Sequence, residues 1–141
     1  MRRLLLVLLA LTACAGTTTE PTTPASTTAN AEPPVTAGSI DISAFKVKYD
    51  QDPKPVLIDV RSAAEYKAGH IDGAQLVPLP TLPGRLDELS AMKGAEIYVV
   101  CQAGGRSKRA AAILAKNGFN AINVEGGTGG WIAAGHPVVT D

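Results

Sequence analysis

The 141-residue chain is poor in several residue types that usually announce a function. It has two cysteines, two histidines and one tryptophan, and aromatic residues make up 4% of it. Thirteen basic and thirteen acidic side chains leave a formal net charge of zero. A neutral, aromatic-poor chain offers neither a basic face to follow a phosphate backbone nor rings on which bases stack, so no nucleic-acid partner is expected. No pair of ligand-type residues has convincing metal spacing, so neither a metal nor a cofactor is expected. There is no internal repeat. The apolar run at residues 4–11 is too short to cross a bilayer. The length suits a single domain.

That apolar run does have a context. In "MRRLLLVLLALTACAG", Arg2 and Arg3 precede it and small residues lead from it into Cys14, the layout of a signal peptide. "LTAC" resembles a bacterial lipobox. The resemblance implies a lipoprotein signal peptide at 1–13, lipidation of Cys14, and an extracytoplasmic, membrane-anchored location. An ordinary secretory signal or a short anchor helix is the alternative. Each buried CH₂ of a lipid contributes roughly 0.8 kcal/mol, so multiple chains would anchor firmly. Residues 14–38 continue as a Thr-, Pro- and Ala-rich stretch with almost no large apolar side chains. Such a segment cannot bury enough surface to offset its ordering entropy, and a disordered tether is expected. Residues 39–141 remain for a folded domain. With Cys14 lipidated, Cys101 has no partner in its own chain, which excludes a disulfide or a two-cysteine redox motif.

Within 39–141 the pattern alternates between strand and helix. "PVLIDV" (55–60) and "EIYVV" (96–100) are continuous, β-branched apolar runs, as expected of buried parallel strands. "AINV" (121–124) is a third, and Ile40 and residues 75–77 supply two more. Ser62 and Glu65 make a capping box for a helix that Gly69 ends. Residues 82–89 read as a short helix with Pro83 in its first turn, and 107–117 as an Ala-rich helix stopped by Gly118. The pattern predicts an α/β fold around a mostly parallel sheet.

The chemistry concentrates in "VVCQAGGRS" (99–107). Ligands of α/β sheets gather beyond the carboxyl ends of strands, and Cys101 directly follows one. The next helix points its free N–H groups and dipole back at this loop, and Gly104 and Gly105 allow successive N–H groups to converge. Arg106, Lys108 and Arg109 crowd the helix start, where each cation opposes the dipole by about 0.3–1 kcal/mol. A bound anion would compensate them; solvated surface charge is the alternative. A free thiol of pKa about 8.5 is about 3% ionised at pH 7, and lowering it ~2 units takes about 2.7 kcal/mol of preference for the anion. Cys101 reads as an activated nucleophile, against the alternative of an inert buried thiol.

"LIDVRSAAEYKAGHIDGAQLVPL", "YVVCQAGGRSKRAAAILAKNGF" and "NVEGGTGGWIAAGHPV" together resemble the signature blocks of a single-domain rhodanese. The resemblance spans about residues 40–139. It implies a rhodanese-like α/β fold, a five-stranded, mostly parallel sheet flanked by helices on both faces. It also implies sulfurtransferase chemistry. Cys101 would take a sulfane sulfur from a small anionic, thiosulfate-like donor and pass it to a thiol or to cyanide. Arg106 would orient the donor, and the loop of Gln102, Ala103, Gly104, Gly105 and Ser107 would cradle the sulfur. Phosphatases of the same fold place the arginine six positions after the cysteine; here Arg106 is five after Cys101, and Val100 stands where they usually carry a histidine. Asp59, Arg61, Glu65 and His70 resemble the family's structural polar set: Arg61 is expected to pair with a carboxylate and His70 to satisfy nearby backbone, with a catalytic-base role the alternative for His70. Trp131, with Gly126 and Gly127, is expected to close the core near the loop or to wall the substrate pocket, and His136 to be exposed. A persulfide carrier or partner-binding module with little turnover is the alternative function.

Overall fold

The computed structural model describes residues 37–141. The expected signal peptide at 1–13, the expected lipidation site Cys14 and the expected tether as far as residue 36 lie outside the described residues. Five strands form one sheet: β1 (Gly38–Ile40), β2 (Val56–Asp59), β3 (Ala74–Leu76), β4 (Glu96–Val100) and β5 (Asn120–Val124). Their order is β1-β5-β4-β2-β3 and every pairing is parallel. The helices are α1 (Ile42–Tyr49), α2 (Ala63–Ala68), α3 (Gly105–Lys116) and α4 (Gly127–Ala133).

The period-2 alternation of the central strand divides the apolar residues between the two faces. Ile97 and Val99 join Ala110, Ala111 and Leu114 of α3 in one core; Tyr98 and Val100 join Phe45 of α1 and Trp131 of α4 in the other. Burial on both sides explains why β2 and β4 read as continuous apolar runs. The register pairs Asp59 with Val100, so the residues following β2 and β4 emerge together at one edge of the sheet. Both the arginine of "DVR" and Cys101 are delivered to that edge.

Local structure departs from the sequence reading in four places. The capping box is present, with the Glu65 carboxylate accepting the Ser62 N–H at 3.0 Å. Residues 82–89, however, are not one helix but a 3-10 turn, Leu82–Arg85, followed by a non-helical turn over 86–89, and a second 3-10 turn, Ser90–Met92, lies beyond them. Pro83 has no N–H to donate and Gly84 carries a high entropic cost in a helix, so the backbone settles for local bonds such as Gly84 N–H to Thr81 carbonyl. The third helix starts at Gly105, two residues earlier than expected, which brings its first turn closer to the thiol. Two helices were not expected at all. In α1, capped by Asp41, Phe45 alone is buried, so there is no apolar stripe to read. In α4, three glycines in seven residues give the composition of a loop.

Candidate functional site: a buried thiol in a cradle of amides

Cys101 is 2% exposed and occupies the turn between β4 and α3. Gly104, at the N-cap of α3, has a φ of 101°, a left-handed conformation that swings its N–H onto the Cys101 Sγ at 3.1 Å. The Ser107 hydroxyl, fully buried, lies 3.4 Å from the same sulfur. Burial by itself pushes the thiol pKa up. The Ser107 hydroxyl and the backbone N–H groups of Ser107, Ala103 and Gly104 outweigh it, and the thiol ends below its ordinary value.

The amides converge because their carbonyls are held elsewhere. The first turn of α4 donates Thr128 N–H to the Cys101 carbonyl at 2.7 Å and Gly129 N–H to the Gln102 carbonyl at 2.9 Å. In a trans peptide the N–H points opposite to the C=O, so tying both carbonyls to α4 turns the following N–H groups away from it, and that of Ala103 helps to lower the thiol pKa. This demands a close backbone approach. A Cβ on Gly127 would lie 2.1 Å from the Cys101 carbonyl oxygen, and one on Gly129 would lie 2.8 Å from that of Gln102. Gly127 and Gly129 of "EGGTGG" are there for contact with the loop, whereas a Cβ on Gly126 or Gly130 would meet Ile42 of α1; Trp131 sits in the core beneath rather than in a pocket wall. Its indole N–H donates to the Pro137 carbonyl at 2.8 Å.

The cations around the loop are arranged differently from the sequence expectation. Arg106 is not a free charge at the start of α3. Its guanidinium makes two bonds to the Glu65 carboxylate of α2, at 2.8 and 2.6 Å. That carboxylate also accepts the Ser62 backbone and hydroxyl. The Arg106 guanidinium first, then the Ser62 N–H, hold the Glu65 carboxyl far below its ordinary range. The compensating anion for Arg106 is therefore part of the protein, supplied by the capping box. Lys108 and Arg109 are exposed and have no carboxylate within ion-pair distance among the described residues. Arg61 pairs with Asp59, both almost fully buried, through Nε and NH2, and NH2 also donates to the Gly69 carbonyl at 2.8 Å. Its NH1 reaches Gln102 Oε1 at 3.4 Å, bracing the loop from the α2 side.

His70 stacks on Tyr66 at 3.6 Å, places Nδ1 3.0 Å from the Tyr66 carbonyl, and pairs its backbone with Val139. It closes the C-terminal segment and makes no hydrogen bond to the Cys101 loop. His136, expected to be exposed, is half-buried against Trp131 at 4.4 Å. Among the described residues no three His, Cys, Asp or Glu side chains gather as a metal site. The sequence reading missed Asn123 and Thr128. Asn123 Oδ1 lies 2.6 Å from the Ser107 hydroxyl, and Thr128 is fully buried with its hydroxyl unpartnered. A polar residue inside the apolar run "AINV" was the available signal for Asn123.

The profile of the rhodanese-like domain matches residues 44–134. The chain belongs to the rhodanese family. A rhodanese-like domain protein from Staphylococcus aureus superposes with a TM-score of 0.66 at 32% identity, covering 74% of this chain and 98% of that one. A rhodanese-related protein from Thermoplasma volcanium gives 0.67 at 29%, covering 74% and 99%. Of curated proteins, Bacillus subtilis YrkF, whose name marks it as a candidate sulfur carrier, is 40% identical over 93 residues, 65% of this chain and 49% of its own. The tRNA uridine(34) hydroxylase of Erwinia tasmaniensis is 37% identical over 81 residues, 54% of this chain and 23% of its own. The rhodanese-like domain thus spans about half of the first relative and under a quarter of the second.

Proposed function

We propose that this rhodanese-like domain is a sulfurtransferase whose acceptor is Cys101. The observation that carries the reading is the cradle itself: a buried sulfur that receives the Gly104 N–H at 3.1 Å at the start of α3 and is pushed toward its anionic form by further amides. The Cys101 thiolate attacks the outer sulfur of a small anionic donor of the thiosulfate type. The new S–S bond forms as the donor's S–S bond breaks, and sulfite leaves with the electron pair. A thiol or cyanide then attacks the outer sulfur of the persulfide, and the Cys101 thiolate departs. The amides that hold the thiolate also hold the persulfide anion, which is where such donors act in nucleophilic catalysis. Arg106, kept in place by Glu65, orients the donor. A lipid on Cys14, with a tether running from it to the start of β1, would place this chemistry outside the cytoplasm at a membrane surface.

Incubation with thiosulfate and cyanide should release thiocyanate, and Cys101→Ser should abolish it. Equal rates in the two proteins would defeat the assignment of the nucleophile. A carrier role is the second reading, favoured by the 40% identity to YrkF. Intact mass after exposure to donor separates the two: a stable adduct of ~32 Da, one sulfur, with negligible turnover marks a carrier.

A further inference from the structure

The Ser107 hydroxyl has one proton and three acceptors around it. Asn123 Oδ1 is 2.6 Å away, the Gly104 carbonyl 3.1 Å and the Cys101 sulfur 3.4 Å. One proton cannot serve both partners: given to the sulfur it supports the thiolate, as described above, and given to Asn123 Oδ1, the shortest contact, it leaves the oxygen with a lone pair toward the sulfur. A lone pair there suits a neutral S–H, which can donate to it, and opposes a thiolate, which cannot. The second end of the Asn123 amide is held weakly: Nδ2 reaches Ser39 Oγ at 3.4 Å. Ser39 is exposed on the edge strand β1, while Asn123 is 3% exposed.

The two ends of a side-chain amide are nearly the same size, so exchanging them disturbs no packing. In the exchanged arrangement Ser39 O–H donates to Asn123 Oδ1, Asn123 Nδ2–H donates to Ser107 Oγ, and the Ser107 proton is released to the sulfur. The hydrogen bonds then run in one direction, from Ser39 through Asn123 and Ser107 to the sulfur. We infer that Asn123 is a positioning residue for Cys101: the orientation of its amide decides whether Ser107 presents a lone pair or a proton to the sulfur, and the amide reverses as the sulfur becomes anionic. The reading adds to the proposed sulfur chemistry a residue that does not touch the sulfur. It does not require turnover, because the charge on the thiol can be read directly.

The charged groups around Cys101 are paired elsewhere, and Arg106 acts on the thiol through its charge and not through a hydrogen bond. Arg106 on α3 is tied to Glu65, and Arg61 after β2 is tied to Asp59. From α4, residues Gly127–Ala133 contribute no titratable side chain.

The test is the pH profile of Cys101 alkylation by iodoacetamide on the full chain, read by mass spectrometry of the Cys101 peptide. Asn123→Asp offers acceptors only, pins the Ser107 proton, and should raise the thiol pKa by about one unit. Asn123→Ala removes the competing acceptor and should leave it unchanged or lower. The same Asp substitution in a Ser107→Ala background should lose most of its effect. Two results would overturn the relay: Asp and Ala shifting the pKa upward alike, the mark of a general structural loss, or an Asp shift equally large without Ser107, the mark of through-space charge. Failure of thiocyanate production with these shifts intact would count against the sulfurtransferase reading alone. Should Asn123→Asp fail to fold, the Ala variant still decides, since a raised pKa there contradicts the inference.

Discussion

At the scale of single residues, Glu65 does two jobs with one carboxylate. It closes the capping box of α2 and it neutralises the arginine that opens α3. The sequence showed the first role through the Ser62–Glu65 spacing; the second depended on bringing α2 beside a residue 41 positions away. Both roles hold the folded-state carboxyl below the value of 4.5 it has in an open chain. A carboxyl depressed in this way adds stability that is complete above about pH 4.5 and fades as acid protonates it toward its folded-state value. Glu65→Gln should therefore lower stability at pH 7 by about 1 kcal/mol, a figure held down because about a third of the side chain faces solvent. Urea midpoints at pH 7 and pH 3 check it: the variant should show a smaller loss between the two than the parent protein.

Secondary-structure elements assemble the site by backbone contact more than by side chains. β4 ends at the thiol, α3 aims its N-terminus at it, and α4 holds the loop carbonyls from behind. The last of these contacts leaves no room for a methyl group. Gly127→Ala would push a Cβ into the Cys101 carbonyl at a φ of +55° that disfavours alanine. A loss of more than about 2 kcal/mol is expected, combining clash and strain. Gly105 offers the contrast: it lies in α3, where a Cβ meets nothing within 4 Å. Gly105→Ala should raise stability by about 0.5–1 kcal/mol, from helix propensity and a less flexible unfolded chain. Parallel urea titrations of both variants test the pair, and opposite signs are the expected result. The strands and α2 were legible because their signals are local: buried β-branched runs and a capping motif. The helices α1 and α4 were not, since one has a single buried residue and the other is largely glycine, and both are stabilised by what they pack against.

The whole molecule couples its core to the thiol. Trp131 packs on Phe45 at 5.6 Å and on Tyr49 at 5.0 Å, joining α4 to α1 against the face of β4 and β5 in the middle of the sheet. The same short helix carries the two N–H groups that fix the Cys101 loop. Trp131→Ala should cost about 3–5 kcal/mol from lost burial and the cavity left behind. It should also raise the Cys101 pKa, because a displaced α4 releases the carbonyls that keep the amides turned inward. Thermal unfolding and the alkylation profile of the same preparation check both parts.

By itself the sequence determined which residues could do chemistry and roughly where: a cysteine after a buried strand, glycines beside it, and a helix start beyond. Those are consequences of local patterning, which acts over a few residues. What the tertiary structure decided was the state of each group. It paired Arg106 with Glu65, set Asn123 against Ser107, and drew α4 onto the loop. Such contacts join residues distant in the chain, and their energies depend on distance and desolvation, which exist only once the sheet has brought its carboxyl ends together.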